Sequence, residues 1–131
     1  MWMHGHFHWH ELNTRDPERA RAFYSRTLGW RFEALPQPDG PYWIARAGDT
    51  PICGLFEMAG PRFDGIPEHW FPFLAVDDVD TQVYAVAAAG GLVLRTPWDL
   101  PGVGRAAILR DGTGAAVGWV TPERPAVALA G

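Results

Sequence analysis

The residues best able to do chemistry come almost at once. The stretch HGHFHWHELNTRD places His4, His6, His8 and His10 at every second position, and His69 is the one further histidine in the chain. Alternate positions on a strand share a face, so His8 and His10 can chelate zinc as an i, i+2 pair. A closed site needs two more ligands, or one more and a water, and no H-E-x-x-H, C-x-x-C or carboxylate cluster lies nearby in sequence. The same histidines also read as a polar strand edge, or as part of a subunit contact. Between and after them stand Trp9, Glu11 and Asn13, which alternation assigns to the opposite face.

Composition narrows the chemistry further. The chain has 131 residues, the size of one domain, with a hydrophobic fraction of 47%. A formal charge of −4 and a pI near 5.6 argue against nucleic acid, which calls for a basic footprint. All 11 basic residues are arginines, which removes Schiff-base lysine chemistry and the P-loop lysine. Ser25 is the one serine, and it sits in helical FYSRTL rather than in a G-x-S-x-G elbow. Cys53 is alone, so no intrachain disulfide forms. No apolar run reaches the roughly 20 residues of a membrane span, and no signal peptide opens the chain, so a cytoplasmic protein is expected. The 7 tryptophans and 7 phenylalanines suit a core, and equally an apolar ligand cavity.

These residues must be positioned by regular elements. Residues 7–14 alternate as a strand. Asp16 is an N-cap, Pro17 fits the first helical position, and Ala20, Phe23, Tyr24, Thr27 and Leu28 predict one buried helical face ended by Gly29. Trp30 leads into RFEAL, and YWIARA and PICGLFEM follow as strands joined by the turn GDT. The segment AGPRFDGIPEH connects to a second series. WFPFLAV is a strand, and Asp78 caps a helix carrying Val79, Gln82, Val83, Val86 and Ala87. LVLRTPW, GRAAILR and AAVGWVT are strands, the last two joined by the hairpin turn RDGTGA. The order strand, helix, three strands occurs twice. The interval from Asp16 to Asp78 equals that from Trp9 to Phe71, and Gly54 and Gly118 stand nearly the same distance apart, which points to duplication.

Two βαβββ modules with the stretches HWHELNTRDPERARAFYSRTLGW, FLAVDDVDTQVYAVAAAGG and DLPGVGRAAILRDGTGAAVGWV resemble the vicinal oxygen chelate superfamily, also called the glyoxalase/bleomycin-resistance/dioxygenase fold. The resemblance covers about residues 6–121. It implies an α+β fold: two βαβββ modules forming a half-open barrel with a concave cavity, helices outside and ligand inside. One domain is expected over 1–131, with module one at about 6–58, a connection at about 59–69, module two at about 70–121 and a tail at 122–131. Metalloenzymes of the family draw four ligands from the first and fourth strands of each module. Carried over, those positions fall on Trp9, Phe71, on or next to Gly54, and on Gly118. None of these side chains binds a divalent metal, so no metal or other cofactor is expected.

With Trp9 turned to the cavity, Glu11 and Asn13 follow it, while His8, His10 and Leu12 turn to the helix side. Glu11 among Trp9, Phe71 and Phe73 would be desolvated, which raises a carboxyl pKa and makes it the candidate catalytic group. Its alternative role is structural, held by an arginine or by backbone N–H groups. Asn13 can orient a ligand or satisfy a turn, and His69 can bond a ligand at the cavity mouth or belong to the loop after Pro67. Phe56 and Met58 share the face of Gly54 and add apolar lining. The missing side chains at Gly54 and Gly118 are expected to leave room for a ligand body. The expected ligand-binding set is therefore Trp9, Glu11, Asn13, Phe56, His69, Phe71 and Phe73.

The function this implies is metal-independent binding of a flat or apolar small molecule by a homodimer, with no nucleic-acid or membrane partner. The alternative is a lyase, isomerase or dioxygenase of the same superfamily, using a divalent metal ion on displaced ligands or Glu11 as a base. A third possibility is an interaction module whose cavity is filled by its own rings.

Overall fold

A computed structural model describes residues 1–38 and 40–123. The expected tail at 122–131 lies outside these except for Pro122, the last residue of a strand, and Glu123. Eight strands and two helices follow in the order expected: β1 (Phe7–Thr14), α1 (Pro17–Leu28), β2 (Arg31–Leu35), β3 (Tyr42–Ala47), β4 (Thr50–Glu57), β5 (His69–Ala75), α2 (Val79–Gln82), β6 (Leu92–Leu100), β7 (Gly104–Arg110) and β8 (Ala116–Pro122). This is the α+β class with two βαβββ modules. The chain forms two compact units. One runs from Trp9 to Phe71, and the other joins Met1–His8 to Pro72 and the residues after it.

In the first unit, β1 lies parallel to β4, β4 antiparallel to β3, and β3 antiparallel to β2. Asp16 caps α1 by accepting the Arg19 N–H at 3.0 Å, and Pro17 supplies the first helical position. Gly29 ends the helix in the left-handed region, at φ 71°, where a side chain would be strained. The expected buried face of α1 is not observed: no residue of the helix is buried, and Phe23 and Leu28 are 58% and 59% exposed. The face turned inward carries Tyr24, one of the expected residues, and Arg21, which lies outside the expected set. Arg21 lays its guanidinium 4.6 Å from the centre of the Trp43 ring, and Tyr24 stacks on Trp30 at 4.8 Å and meets Trp70 edge-on at 5.8 Å. A long arginine stem and flat rings cover apolar surface without a continuous aliphatic stripe.

The second unit repeats the plan, with β5 parallel to β8, β8 antiparallel to β7, and β7 antiparallel to β6. Backbone bonds from Gly5 to Ala75 and from Ala75 to His6 tie the start of the chain to β5. Asp78 caps α2 by accepting from the backbone N–H groups of Asp80 and Thr81. The helix expected through Ala87 stops at Gln82 and continues as a tighter 3-10 turn over Val83–Ala85. Branched side chains at 79, 83 and 86 disfavour a long helix, and two glycines follow at 90 and 91. Val76, Val79 and Ala107 form one core cluster here, with Val83 and Trp119 packed against it.

Gly118 pairs in register with Phe73, and the Phe73 ring occupies the space a side chain at 118 would need. A Cβ there would stand 2.2 Å from the ring. Gly118 therefore makes room for a core side chain of the protein itself, where the sequence suggested room for a ligand. Gly118→Ala is expected to destabilise the fold by about 1–3 kcal/mol through overpacking, measured by urea denaturation. An unchanged midpoint would show that Phe73 moves aside freely.

Candidate functional site

Register fixes which side chains share a face in the Trp9–Phe71 unit. Glu11 pairs with Gly54, Asn13 with Phe56, Tyr42 with Phe56, and Ile44 with Gly54, so these residues point to one side. Leu12, Trp43, Cys53 and Leu55 point to the other, which α1 covers through Arg21. Trp9, Glu11 and Asn13 thus face away from α1, as the sequence predicts. Cys53 is buried as expected, and burial pushes its thiol pKa up to about 11. His8 and His10 take the parity of Leu12 but are exposed. His4 accepts the Asp77 backbone N–H on Nδ1 at 2.9 Å. Among the described residues, no three His, Cys, Asp or Glu side chains come together in a way that could hold a metal.

The centre of the face is a hydrogen-bonded chain. The Trp9 indole N–H donates to the Tyr42 hydroxyl at 3.0 Å, and that hydroxyl donates to Glu11 Oε2 at 2.9 Å. Trp9, Glu11 and Tyr42 are 8%, 9% and 2% exposed. A buried carboxylate and a buried indole both need partners, and one hydroxyl serves both. Burial, and then the negative charge of Glu11, hold the Tyr42 phenol pKa well above its ordinary value. Gly54 makes the arrangement possible, because a Cβ at 54 would fall 1.7 Å from the Tyr42 hydroxyl oxygen. The space expected here for a ligand is filled by the protein's own phenol.

At the other end of the face, Asn13 Nδ2 lies 3.1 Å from His69 Nε2, and His69 Nδ1 lies 2.8 Å from the Pro67 carbonyl oxygen. His69 is the first residue of β5 rather than part of the loop. Phe71 meets its ring edge-on at 6.2 Å, and Phe56 meets Phe63 at 5.8 Å. The connecting segment is held by Arg15, which bonds the carbonyls of Phe63 and Ile66 and the Glu68 carboxylate. Glu68 also accepts from Thr14 Oγ1 and from the Arg15 backbone N–H, both at 2.7 Å. These bonds, the Thr14 hydroxyl first, hold the Glu68 carboxyl below its ordinary pKa.

Of the expected site residues, the fold brings Trp9 and Glu11 together through Tyr42, Asn13 to His69, and Phe71 to His69. Phe56 is the register partner of Asn13. Phe73 belongs to the other unit and is 1% exposed. Sequence reasoning missed Tyr42, Phe63 and the Arg15–Glu68 clamp. Tyr42 gave no signal in the sequence, because its reach to Gly54 depends on the register of β3 with β4.

Residues 6–118 match the Glyoxalase/Bleomycin resistance protein/Dioxygenase superfamily, and the chain belongs to that family. It is 39% identical over 115 residues to a protein named "Putative glyoxylase CFP32" from Mycobacterium tuberculosis, a match covering 87% of this chain and 43% of that protein. It is 33% identical over 123 residues to "Anthracycline biosynthesis protein DnrV" of Streptomyces peucetius, covering 82% of this chain and 44% of that one. The chain thus spans less than half the length of these curated relatives. A hypothetical protein from Bacillus halodurans shares the fold at a TM-score of 0.70 and 14% identity, over 92% of this chain and 96% of that one. Methylmalonyl-CoA epimerase from Streptomyces coelicolor, solved with 2-nitronate-propionyl-CoA, does so at 0.70 and 18%, over 93% and 100%.

The metal positions implied by the family resemblance can be tested against this geometry. Trp9 offers an N–H donor already engaged by Tyr42, and Tyr42 itself stands in the space at Gly54. Phe71 offers a ring, and the Phe73 ring stands in the space at Gly118. Divalent metals bind imidazole, carboxylate or thiolate, so the residues at these positions do not fit one.

Tyr42→Phe removes the donor to Glu11 and the acceptor for Trp9 while keeping the ring. It is expected to cost about 1–3 kcal/mol in urea denaturation, with a loss below about 0.5 kcal/mol counting against the bonds described. The raised phenol pKa has a second consequence. The unfolded chain ionises Tyr42 first as pH climbs past about 10, so this contribution to stability is complete below that pH and declines above it. Wild type should therefore lose stability above pH 10 more steeply than Tyr42→Phe, and parallel stability–pH curves would contradict the assignment.

Proposed function

We propose that this chain is a metal-independent small-molecule binding protein of the glyoxalase/bleomycin-resistance-like type, or the corresponding part of a longer one. The observation that carries the reading is the Tyr42 hydroxyl. It stands where a fourth-strand ligand would project and engages Trp9 and Glu11. The face that results is hydrogen-bonded at its centre and part aromatic. Phe56, Phe63 and Phe71 offer flat surface, and Asn13 and His69 offer the polar atoms that fix a ligand's orientation. Glu11 has a structural task in this reading, with Tyr42 as its donor, and the ligand is flat or apolar. The relatives' names, a glyoxylase and an anthracycline biosynthesis protein, accord with a small organic ligand.

A homodimer is part of the proposal. Phe23 and Leu28 of α1 are exposed at 58% and 59%, apolar side chains of the kind subunit contacts cover. No helix among the described residues is long and apolar enough to cross a membrane.

The test is elemental analysis together with native mass spectrometry of protein purified without an affinity tag. The expected result is no stoichiometric divalent ion, and binding of a small aromatic compound that is unchanged by EDTA. A divalent ion at one per chain, with binding lost on chelation, would overturn this reading in favour of a lyase, isomerase or dioxygenase.

A further inference from the structure

Among the described residues, the buried side-chain oxygen of Asn13 has no hydrogen-bond partner. The residue is 9% exposed, its Nδ2 faces His69, and its Oδ1 is unsatisfied. While the His69 ring is neutral, turning the amide over does not remove the problem. The Pro67 carbonyl can only accept, so His69 Nδ1, 2.8 Å away, must carry a proton. In the neutral ring Nε2 is then an acceptor, and it requires the N–H of Asn13 rather than its oxygen. For the neutral ring, Pro67 therefore sets the tautomer, the tautomer sets the amide, and the buried carbonyl oxygen is left without a partner. Arg15 and Glu68 hold the segment that delivers Pro67.

An orphaned buried acceptor is costly unless something donates to it, and in native proteins such groups call for an explanation. Asn13 shares its face with Glu11 and stands beside Phe56 in register, and Phe71 packs edge-on against the His69 ring. We propose that Asn13 Oδ1 is the specificity atom of the ligand site, accepting a hydrogen bond from a hydroxyl or N–H on a neutral, flat, largely apolar ligand. Anions are disfavoured, because a carbonyl oxygen repels a carboxylate or phosphate oxygen placed against it. This deepens the small-molecule reading above and rests on it.

Three compounds of one ring system test the idea: 2-naphthol, 2-methoxynaphthalene and 2-naphthoate. Titration followed by tryptophan fluorescence should show 2-naphthol binding about tenfold tighter than either of the others, the size of one buried hydrogen bond made rather than unmade. Asn13→Leu should erase that preference. Should that variant fail to fold, the side-chain amide resonances of Asn13 in wild-type protein decide. They should shift with 2-naphthol and stay in place with 2-methoxynaphthalene. Equal binding of 2-naphthol and 2-methoxynaphthalene, a preference that survives Asn13→Leu, amide shifts common to both compounds, or tightest binding by 2-naphthoate would overturn the inference while leaving a small-molecule site. Saturable binding by none of the three would overturn the binding-protein reading itself, and the inference with it.

Discussion

The Tyr42 hydroxyl accepts the Trp9 indole N–H and donates to the Glu11 carboxylate from the space that a side chain at position 54 would fill. That constraint organises the candidate site. It needs β3 and β4 in the observed register, because Tyr42 reaches Gly54 from the neighbouring pair. It needs β1 parallel to β4, so that Glu11 arrives beside the same glycine. A carboxylate buried to this depth is tolerable only with a donor, and the donor is tolerable only where a Cβ is missing.

The two modules solve one packing problem in two ways. In each, a glycine of the fourth strand pairs with a residue of the first, Gly54 with Glu11 and Gly118 with Phe73. In the second module the first-strand residue is a phenylalanine, and its own ring fills the gap. The third strand there places Ala106 opposite Val120, as the first module places Tyr42 opposite Phe56. The bulky ring has moved from the third strand to the first. The first module thereby keeps a polar, hydrogen-bonded centre, while the corresponding centre of the second is apolar. In both modules the space at the fourth-strand glycine is occupied by an aromatic side chain of the protein.

Much of this was legible from residue pattern. The family's first-strand position, carried over onto Trp9, gave the parity of β1, and Asp16, Pro17 and Gly29 gave both ends of α1. What could not be read was the identity of the atoms filling the glycine positions, since that depends on pairing between strands. An absent side chain looks like empty space in a sequence, whether a ligand or a tyrosine occupies it. The inward face of α1 was misjudged for a related reason. Helical spacing marks the most apolar stripe, Phe23 and Leu28 included, but the helix docks through Arg21 on Trp43 and Tyr24 on Trp30. The second helix was overextended because periodicity counts valines as apolar and ignores their poor fit to a helix. His69 looked like a loop residue because proline precedes it by two, whereas β5 begins at His69 itself.

The parallel pairing of β1 with β4 shapes how the first module assembles. The antiparallel partners β3 and β4 are neighbours in the chain and close through a short turn, whereas β1 reaches β4 across α1 and two strands. Joining distant segments carries the larger loop-closure entropy, which favours forming the hairpin before docking β1. A helix with no buried residue gives little help as a nucleus. That order would bring Tyr42 to Gly54 before the indole and carboxylate of β1 dock on them.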